Sequence, residues 1–495
     1  MGIFTTKSSH PLADAKEIRR LLHDLPAQEP ALALAYAGAQ FESLSAADDF
    51  RLDQRFDVVM QIDAAVAAHT QRLGREYLNG PEAGRAQESK AWSQCHDYWL
   101  RLFAAYADVL TRYRESEKGA ATLTSRLPLL CTRLLRACCG RLKWEQFRYG
   151  PIDAEIWSTA GAAYLAAVAN ASERKTVAMS ANGPTSSVEA EYLRLLLFHA
   201  SSMDNLLPQE IEIAERLIAY LVPHFKLTEK VHPFNVCWVD PAKPMPPTRL
   251  ARMPEITPSL RFFATRTALN ALNGVRLNIE STGTLPSEVH FGAQYAPRVV
   301  VLVCEHLATC WAPVPPMRGH VRHRVKSWLA VIHGLDSVHQ RLSGQAGQGE
   351  AAEEAWVAED VSMNGMRANV PLVGKAWLRV GSLLGVQPDG SGNWLVGIVR
   401  RLSRSSDSFG DVGIETLSKT ARAVVTDDGG RRLELILLDP VSVGDDVRVV
   451  MPELIWDPRI PLALSLDDRH YRLKPRELLE MGAGYALGCY QAEII

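Results

Sequence analysis

Apolar residues recur at spacings of three and four through the first half of this chain, and at a spacing of two through much of the second. The first pattern predicts helices over 15–25, 31–44, 48–78, 84–117 and 123–142, with Ala-rich faces and few β-branched runs. Further helices are expected at 152–171, 188–202 and 208–224. Ala46-Ala-Asp48-Asp and Gly80-Pro-Glu mark boundaries by capping or helix-breaking chemistry. These elements predict an all-α bundle or solenoid, without the fixed-period self-similarity of a named repeat.

A Pro-rich stretch, Val239-Asp-Pro-Ala-Lys-Pro-Met-Pro-Pro247, breaks the helical array. Beyond it a helix is expected over 258–274, an extended segment over 275–279, a turn at Ser281-Thr-Gly-Thr-Leu-Pro286 and a helix over 298–311. Pro313-Val-Pro-Pro316 then reads as a stiff extended connector. From Lys326 onward, Trp328–His333, Ala355–Asp360, Trp377–Val380, Asn393–Arg400 and Gly413–Leu417 alternate apolar and polar positions between Gly/Asp/Ser turns, as the strands of a small barrel do. The tail continues in that style at 421–426, 433–438, 446–450 and 462–466, with Asp427-Asp-Gly-Gly430 as a hairpin signal. The expected fold is multidomain α + β. A helical domain spans 1–238, a mixed connector 239–316, an antiparallel β-barrel 317–420 and a second β-rich unit 421–495.

Composition narrows the function classes. Apolar residues at 47% and charged residues at 22% are ordinary globular values, and a formal net charge of -2 gives no general attraction for nucleic acid or anionic lipid. The start lacks a secretory pattern, and the longest apolar run, Val299–Cys304, stops at Glu305 and His306, far short of a membrane span. A cytoplasmic protein is expected. Eight cysteines without a Cys-x-x-Cys pair read as reduced, buried thiols. His320, His323, His333 and His339 lie close in sequence but lack a compact ligand spacing, so no metal or cofactor is expected. There is no phosphate loop ending in Lys-Ser/Thr, no Gly-x-Ser-x-Gly elbow and no His-Glu-x-x-His, and no nucleophile, base and orienting group can be nominated together. The chain does not read as an enzyme. Trp92 and Trp99, seven apart, read as core or interface anchors.

The most specific chemistry lies in Arg318-Gly-His-Val-Arg322, with Arg324 close behind, followed by Asp360-Val-Ser362-Met-Asn-Gly365. Arginine is a planar, permanently charged fork that grips a pair of phosphate oxygens or the O6/N7 edge of guanine. Asp360 accepts only, matching the guanine N1 and N2 hydrogens; Ser362 donates or accepts; Gly365 allows the positive φ that a turn can require.

Arg-x-x-x-Arg followed by (Asp/Asn)-x-Ser-x-x-Gly resembles the signature of the PilZ domain, a small β-barrel that binds the bacterial second messenger cyclic di-GMP. Val396-Gly-Ile-Val-Arg400 after Trp394, and Val412-Gly-Ile-Glu415, are similar to the last strands of that family. The likeness covers about a fifth of the chain. Its separation from Arg322 to Asp360 is longer than the family's, with the Gly/Gln stretch 343–350 inside it. The resemblance implies that Arg318 and Arg322 hold phosphates and guanine faces, that Asp360 and Ser362 bond a guanine, and that Gly365 shapes the turn. It also implies control of motility, adhesion or biofilm output. The expected function is a cyclic di-GMP receptor that couples a PilZ-like barrel to a helical domain binding a protein partner. The alternative is a ligand-free adaptor with the same barrel; an RNA-binding barrel fits less well, because no aromatic residues interleave with the basic ones. The 318–324 segment is expected to be untied until a dianionic ligand draws it over the barrel.

Overall fold

Helix starts and stops follow local chemistry. Asp14 accepts from the Lys16 amide to open α1 (Ala15–His23), and proline occupies the first turn of α2 (Pro30–Ser45), where its missing N–H costs nothing. The computed structural model describes residues 9–79, 85–180, 183–292, 294–315, 320–344, 353–428, 431–482 and 484–495. The chain divides into two compact units. One comprises Met1–Arg148, Ile152–Met203 and Pro208–Pro316; the other comprises Tyr149–Pro151, Asp204–Leu207 and Met317–Ile495.

The first unit continues with α3 (Leu52–Leu78), α4 (Arg85–Arg114), α5 (Ala120–Leu123), α6 (Leu127–Gln146), α7 (Glu155–Ala169), a two-residue pairing of β1 (Val177–Ala178) with β2 (Thr185–Ser186), α8 (Val188–Ala200) and α9 (Pro208–Leu221). Its packed interior carries charge. Arg55, 1% exposed, donates to the Leu44 and Ala47 carbonyls at the end of α2 and lies 3.2 Å from Asp108, so a buried guanidinium closes the α2–α3 turn. Asp63 accepts from Tyr98 at 3.1 Å, Tyr106 at 2.9 Å and Arg133 at 2.9 Å, tying α3, α4 and α6 together. Trp92 donates to the Trp144 carbonyl at 2.8 Å, and Trp99 packs over Gly140 so closely that a Cβ there would lie 2.2 Å from the ring.

Residues 235–311 belong to this unit and differ from expectation. β3 (Asn235–Val239) pairs with β4 (Thr248–Arg249) and β5 (Arg261–Ala264) in a small sheet, so the expected helix over 258–274 begins as a strand. Helix α10 (Arg266–Thr282) then runs through 275–279, in place of the expected extended segment. Val275 and Ile279 complete a stripe with Ala268 and Leu272 at helical spacing, buried where α10 meets α9 and α11 (Pro297–Trp311); that packing overrides their β-branched preference.

In the second unit, β6 (His323–His333), α12 (Leu335–Leu342), β7 (Glu354–Ser362), β8 (Gly365–Pro371), β9 (Leu383–Pro388), β10 (Leu395–Arg404) and β11 (Phe409–Ser418) include a closed antiparallel barrel ordered β10-β11-β8-β7-β6-β9. Trp377–Val380 is not one of its strands. Ser382 Oγ accepts from the Arg379 amide and donates to the Trp377 carbonyl, satisfying that backbone locally. The Trp377 ring stacks on His333 at 3.8 Å, while Leu378 and Val380 fill the barrel core around Trp356.

The tail forms β12 (Arg422–Asp428), β13 (Arg431–Leu437), β14 (Asp446–Pro452), β15 (Leu462–Leu466), β16 (Arg469–Met481) and β17 (Tyr485–Ile494) in the order β12-β13-β14-β17-β16-β15. Asp428 pairs with Arg431 as a two-residue hairpin demands; Gly429 and Gly430 lie outside the described residues. Counting strands from one to six within each sheet, both follow 1-2-3-6-5-4, so the second sheet repeats the topology of the first. The barrel closes through a β6–β9 ladder, whereas β12 and β15 approach through the Thr426 hydroxyl donating to the Ala463 carbonyl, which leaves the second sheet nearly closed. Between the sheets lies a shared core in which Ile332, Val396, Ile398, Ile436, Val450 and Tyr485 are almost wholly buried, each such side chain contributing about 1.5–3 kcal/mol.

Among the described residues no helix is long and apolar enough to cross a membrane. All eight cysteines are free thiols. Burial pushes Cys131 up to about 12 and, against Arg249, Cys237 up to about 11, so neither is a ready nucleophile.

In the helical unit Arg141 serves three carboxylates, Glu145 at 3.0 Å, Glu155 at 2.9 Å and Asp153 at 2.8 Å. Glu145 is the most buried of them, and burial outweighs Arg141 to raise its pKa to about 7. A carboxyl whose folded pKa stands above its unfolded value holds its proton more tightly when folded. Its stabilisation is complete below about 4.5 and is lost as pH rises through about 7. Urea unfolding at pH 5 and pH 8 should show a loss of roughly 2–3 kcal/mol between them in the wild type and a much flatter profile in Glu145→Gln.

Candidate functional site

The expected site residues meet at one rim of the barrel. Strand β7 runs into a two-residue turn, Met363-Asn364, and returns as β8, with Ser362 facing Gly365 in register. The Ser362 hydroxyl donates to the Gly365 carbonyl at 3.1 Å and closes that turn, while its oxygen lone pairs stay available as acceptors. Gly365 does not have positive φ, contrary to expectation. Its place is set by close approach: a Cβ would lie 2.4 Å from the Ile414 carbonyl oxygen of β11.

Arg322, 41% exposed, donates through Nη1 to Asp360 Oδ1 at 2.8 Å, and Asp360 is also 3.6 Å from Arg367 Nε. Arg324 stands opposite Asp360 in the β6–β7 ladder, and His320 reaches Asn364 of the turn at 3.1 Å. The segment from His320 to Arg324 is therefore tied to β7, in contrast to the expected untied strap. Register explains it: once β6 pairs with β7 from His323 onward, Arg322 is carried to within bonding distance of Asp360. Arg318 lies outside the described residues.

These groups line an open cleft of about 1350 Å³. Its wall includes Lys326, Glu359, Arg367, Arg400, Arg401, Asp411 and Glu415, which sequence reasoning did not assign. Most of its cations are engaged: Arg367 pairs with Glu359, Arg401 with Asp204, and Arg400 with Glu415 at 2.6 Å and Glu480 at 2.7 Å. The Glu359 hydrogen bond is the main cause holding the Arg367 pKa above its ordinary value. At Arg400 burial works against the charge, but Glu480 and Glu415 outweigh it and raise the pKa. Arg324 and Lys326 have no ion-pair partner among the described residues, so the cleft offers two uncompensated cations. Register shifts between Arg324 and Ser327, Ala358 and Asp360, and Val399 and Arg401 place bulges around this rim, where extra residues re-aim side chains. The sequence signal for the missed wall was the Arg400-Arg401 doublet closing the Val396-Gly-Ile-Val run, together with the Glu415 that ends Val412-Gly-Ile.

The grouped histidines separate. His333 stacks on Trp377, His339 is buried 3.0 Å from the Val424 carbonyl, and no set of three metal-ligating side chains comes together among the described residues. The helical unit has a smaller cleft of about 490 Å³. Lys143 and Arg216 in its wall are consumed by Glu212, and Arg194 by Glu215.

The barrel mouth thus sets arginines, an acceptor-only carboxylate and a hydroxyl side by side, groups whose chemistry matches that of a polar anion. Residues 16–232 match the family described as "Cyclic-di-GMP receptor FimW, N-terminal domain". That likeness lies in the helices, whereas the PilZ-like motifs lie within 317–420. No curated protein matches the chain.

Gly365→Ala tests the close approach directly. The added methyl should force β8 and β11 apart and destabilise this unit by roughly 1–3 kcal/mol in urea unfolding. An unchanged unfolding midpoint would remove the constraint.

Proposed function

We propose that this chain is a cytoplasmic cyclic di-GMP receptor and effector, with the ligand bound in the barrel cleft. The observation that carries the reading is the convergence of Arg322, Arg324 and the Asp360–Gly365 turn on one cavity. The N-terminal match to a family of cyclic di-GMP receptors supports it from a separate part of the chain. The two uncompensated cations, Arg324 and Lys326, suit the ligand's two phosphates. Arg322, on leaving Asp360, is free to fork onto a phosphate or a guanine edge, and the freed Asp360 accepts from guanine N1 and N2. Ser362 accepts a further ligand hydrogen bond, and Arg318 joins it as the second arginine of the pair. Binding so exchanges an internal ion pair for ligand contacts and re-orders the segment that links barrel and helices, which biases the helical domain toward its protein partner. The barrel at 317–420 acts as the PilZ-like sensor and 1–238 as the partner-binding domain, with 239–316 as connector and 421–495 as a supporting β-unit. The process controlled is motility or biofilm formation. No catalytic step and no cofactor enters this scheme.

A second reading is the ligand-free adaptor, favoured by the Arg322–Asp360 pair, which satisfies both groups without a ligand. Calorimetric titration with cyclic di-GMP, against GTP and cyclic di-AMP, separates the two. The receptor reading expects selective binding that weakens roughly tenfold or more in Arg322→Ala and in Asp360→Ala, the scale of a charged hydrogen bond worth about 1.5–3 kcal/mol. Binding that survives Arg318→Ala plus Arg322→Ala would rule the arginines out. Capture of the same partner by wild type and that double variant, without nucleotide, would favour the adaptor.

A further inference from the structure

Two β-bulges face each other at the edge of the cleft. In β10, Val399 pairs with Ile414 and Arg401 with Gly413, leaving Arg400 as the extra residue. In β16, Leu478 pairs with Gly488 and Glu480 with Leu487, leaving Leu479 as the extra one immediately before Glu480. A bulge turns side chains out of the alternation their strand would impose. Here the two side chains meet: Arg400 Nη1 lies 2.7 Å from Glu480 Oε2 and 2.8 Å from Oε1, while its Nε bonds Glu415 at 2.6 Å. Arg400 lines the cleft, but two carboxylates share its single charge.

The second sheet has the barrel's strand order, yet its own turn between second and third strands is closed. Asp439 there accepts from Arg448 Nη2 at 2.7 Å, Nε at 2.8 Å and the backbone amide at 3.0 Å, and Arg448 also donates to the Leu417 carbonyl of β11. The contribution of this sheet to the cleft runs instead through Glu480.

We infer that Glu480 of the second sheet is a positioning residue for the ligand cleft: it draws Arg400 away from an incoming phosphate, and ligand binding releases it. This inference rests on the proposed cyclic di-GMP reading of the cleft. With Glu480 in place, Arg400 must exchange a carboxylate for a phosphate, so its net gain is small. With that charge removed, the same guanidinium meets the ligand with Glu415 as its remaining carboxylate partner. Release also loosens the bulged end of β16, which carries the binding event into the second sheet.

The test is a double-mutant cycle on the full chain, titrated with cyclic di-GMP. Glu480→Gln keeps the shape and an acceptor and should tighten binding roughly fivefold, the scale of one partly exposed charge pair. In an Arg400→Gln background the same substitution should change nothing. Amide exchange in 469–481 should rise with ligand in the wild type and stay level in Arg400→Gln. A Glu480→Gln effect that is absent, of opposite sign, or preserved without Arg400 overturns the inference while leaving the receptor reading intact. Failure of the wild type to bind cyclic di-GMP overturns both.

Discussion

Asp360 is the residue on which the barrel mouth depends. It stands 2.8 Å from one guanidinium and 3.6 Å from another, on a turn whose geometry is held by Ser362 and by the narrow space at Gly365. A carboxylate placed there without cations would repel a phosphate ligand, and the arginines without it would repel one another. Paired, they balance much of the charge of the mouth, and among the described residues Arg324 and Lys326 are the cations of its wall without an ion-pair partner. Such pairs leave each guanidinium and carboxylate satisfied within the protein, since breaking one partner away would strand the other's charge.

The cleft is held in place by packing on both sides of the barrel wall. Inward-facing residues of β6 to β11 surround Trp356, and outward-facing residues of β6, β9 and β10 meet the second sheet. The repetition of one strand order in two sheets gives this packing a simple physical origin: a sheet nearly closed on itself has few edges to protect, and its outer apolar face must be covered. Two such sheets cover each other. The bulges at Arg400 and Leu479 bring Arg400 and Glu480 together, and Ser418 with Leu438 and Arg448 with Leu417 add further polar contacts between the sheets.

Much of this was legible along the chain. Period alone marked most long helices, the barrel region and the β-rich tail, and the residue types of Arg322, Asp360 and Ser362 singled out side chains that the structure brings to one cleft. The misreadings share a cause. Val275–Ile279 and Trp377–Val380 are short apolar stretches whose local preference was ambiguous, and in each the tertiary partner decided: neighbouring helices for the first, the barrel interior for the second. Strands β9 and β17 escaped the reading because runs of their residues are buried on both faces, which erases alternation, whereas β8 and β16 do alternate and were legible.

Sequence by itself determined where helices give way to strands and which chemistry gathers at 318–365, because periodicity and side-chain functional groups are local properties. Only the tertiary structure decided that Arg322 meets Asp360, that Gly365 answers to the Ile414 carbonyl, and that Arg400 is shared between Glu415 and Glu480. Those outcomes depend on strand register and on bulges, which are set by ladders between residues far apart in the chain and leave no trace in the spacing of any one segment.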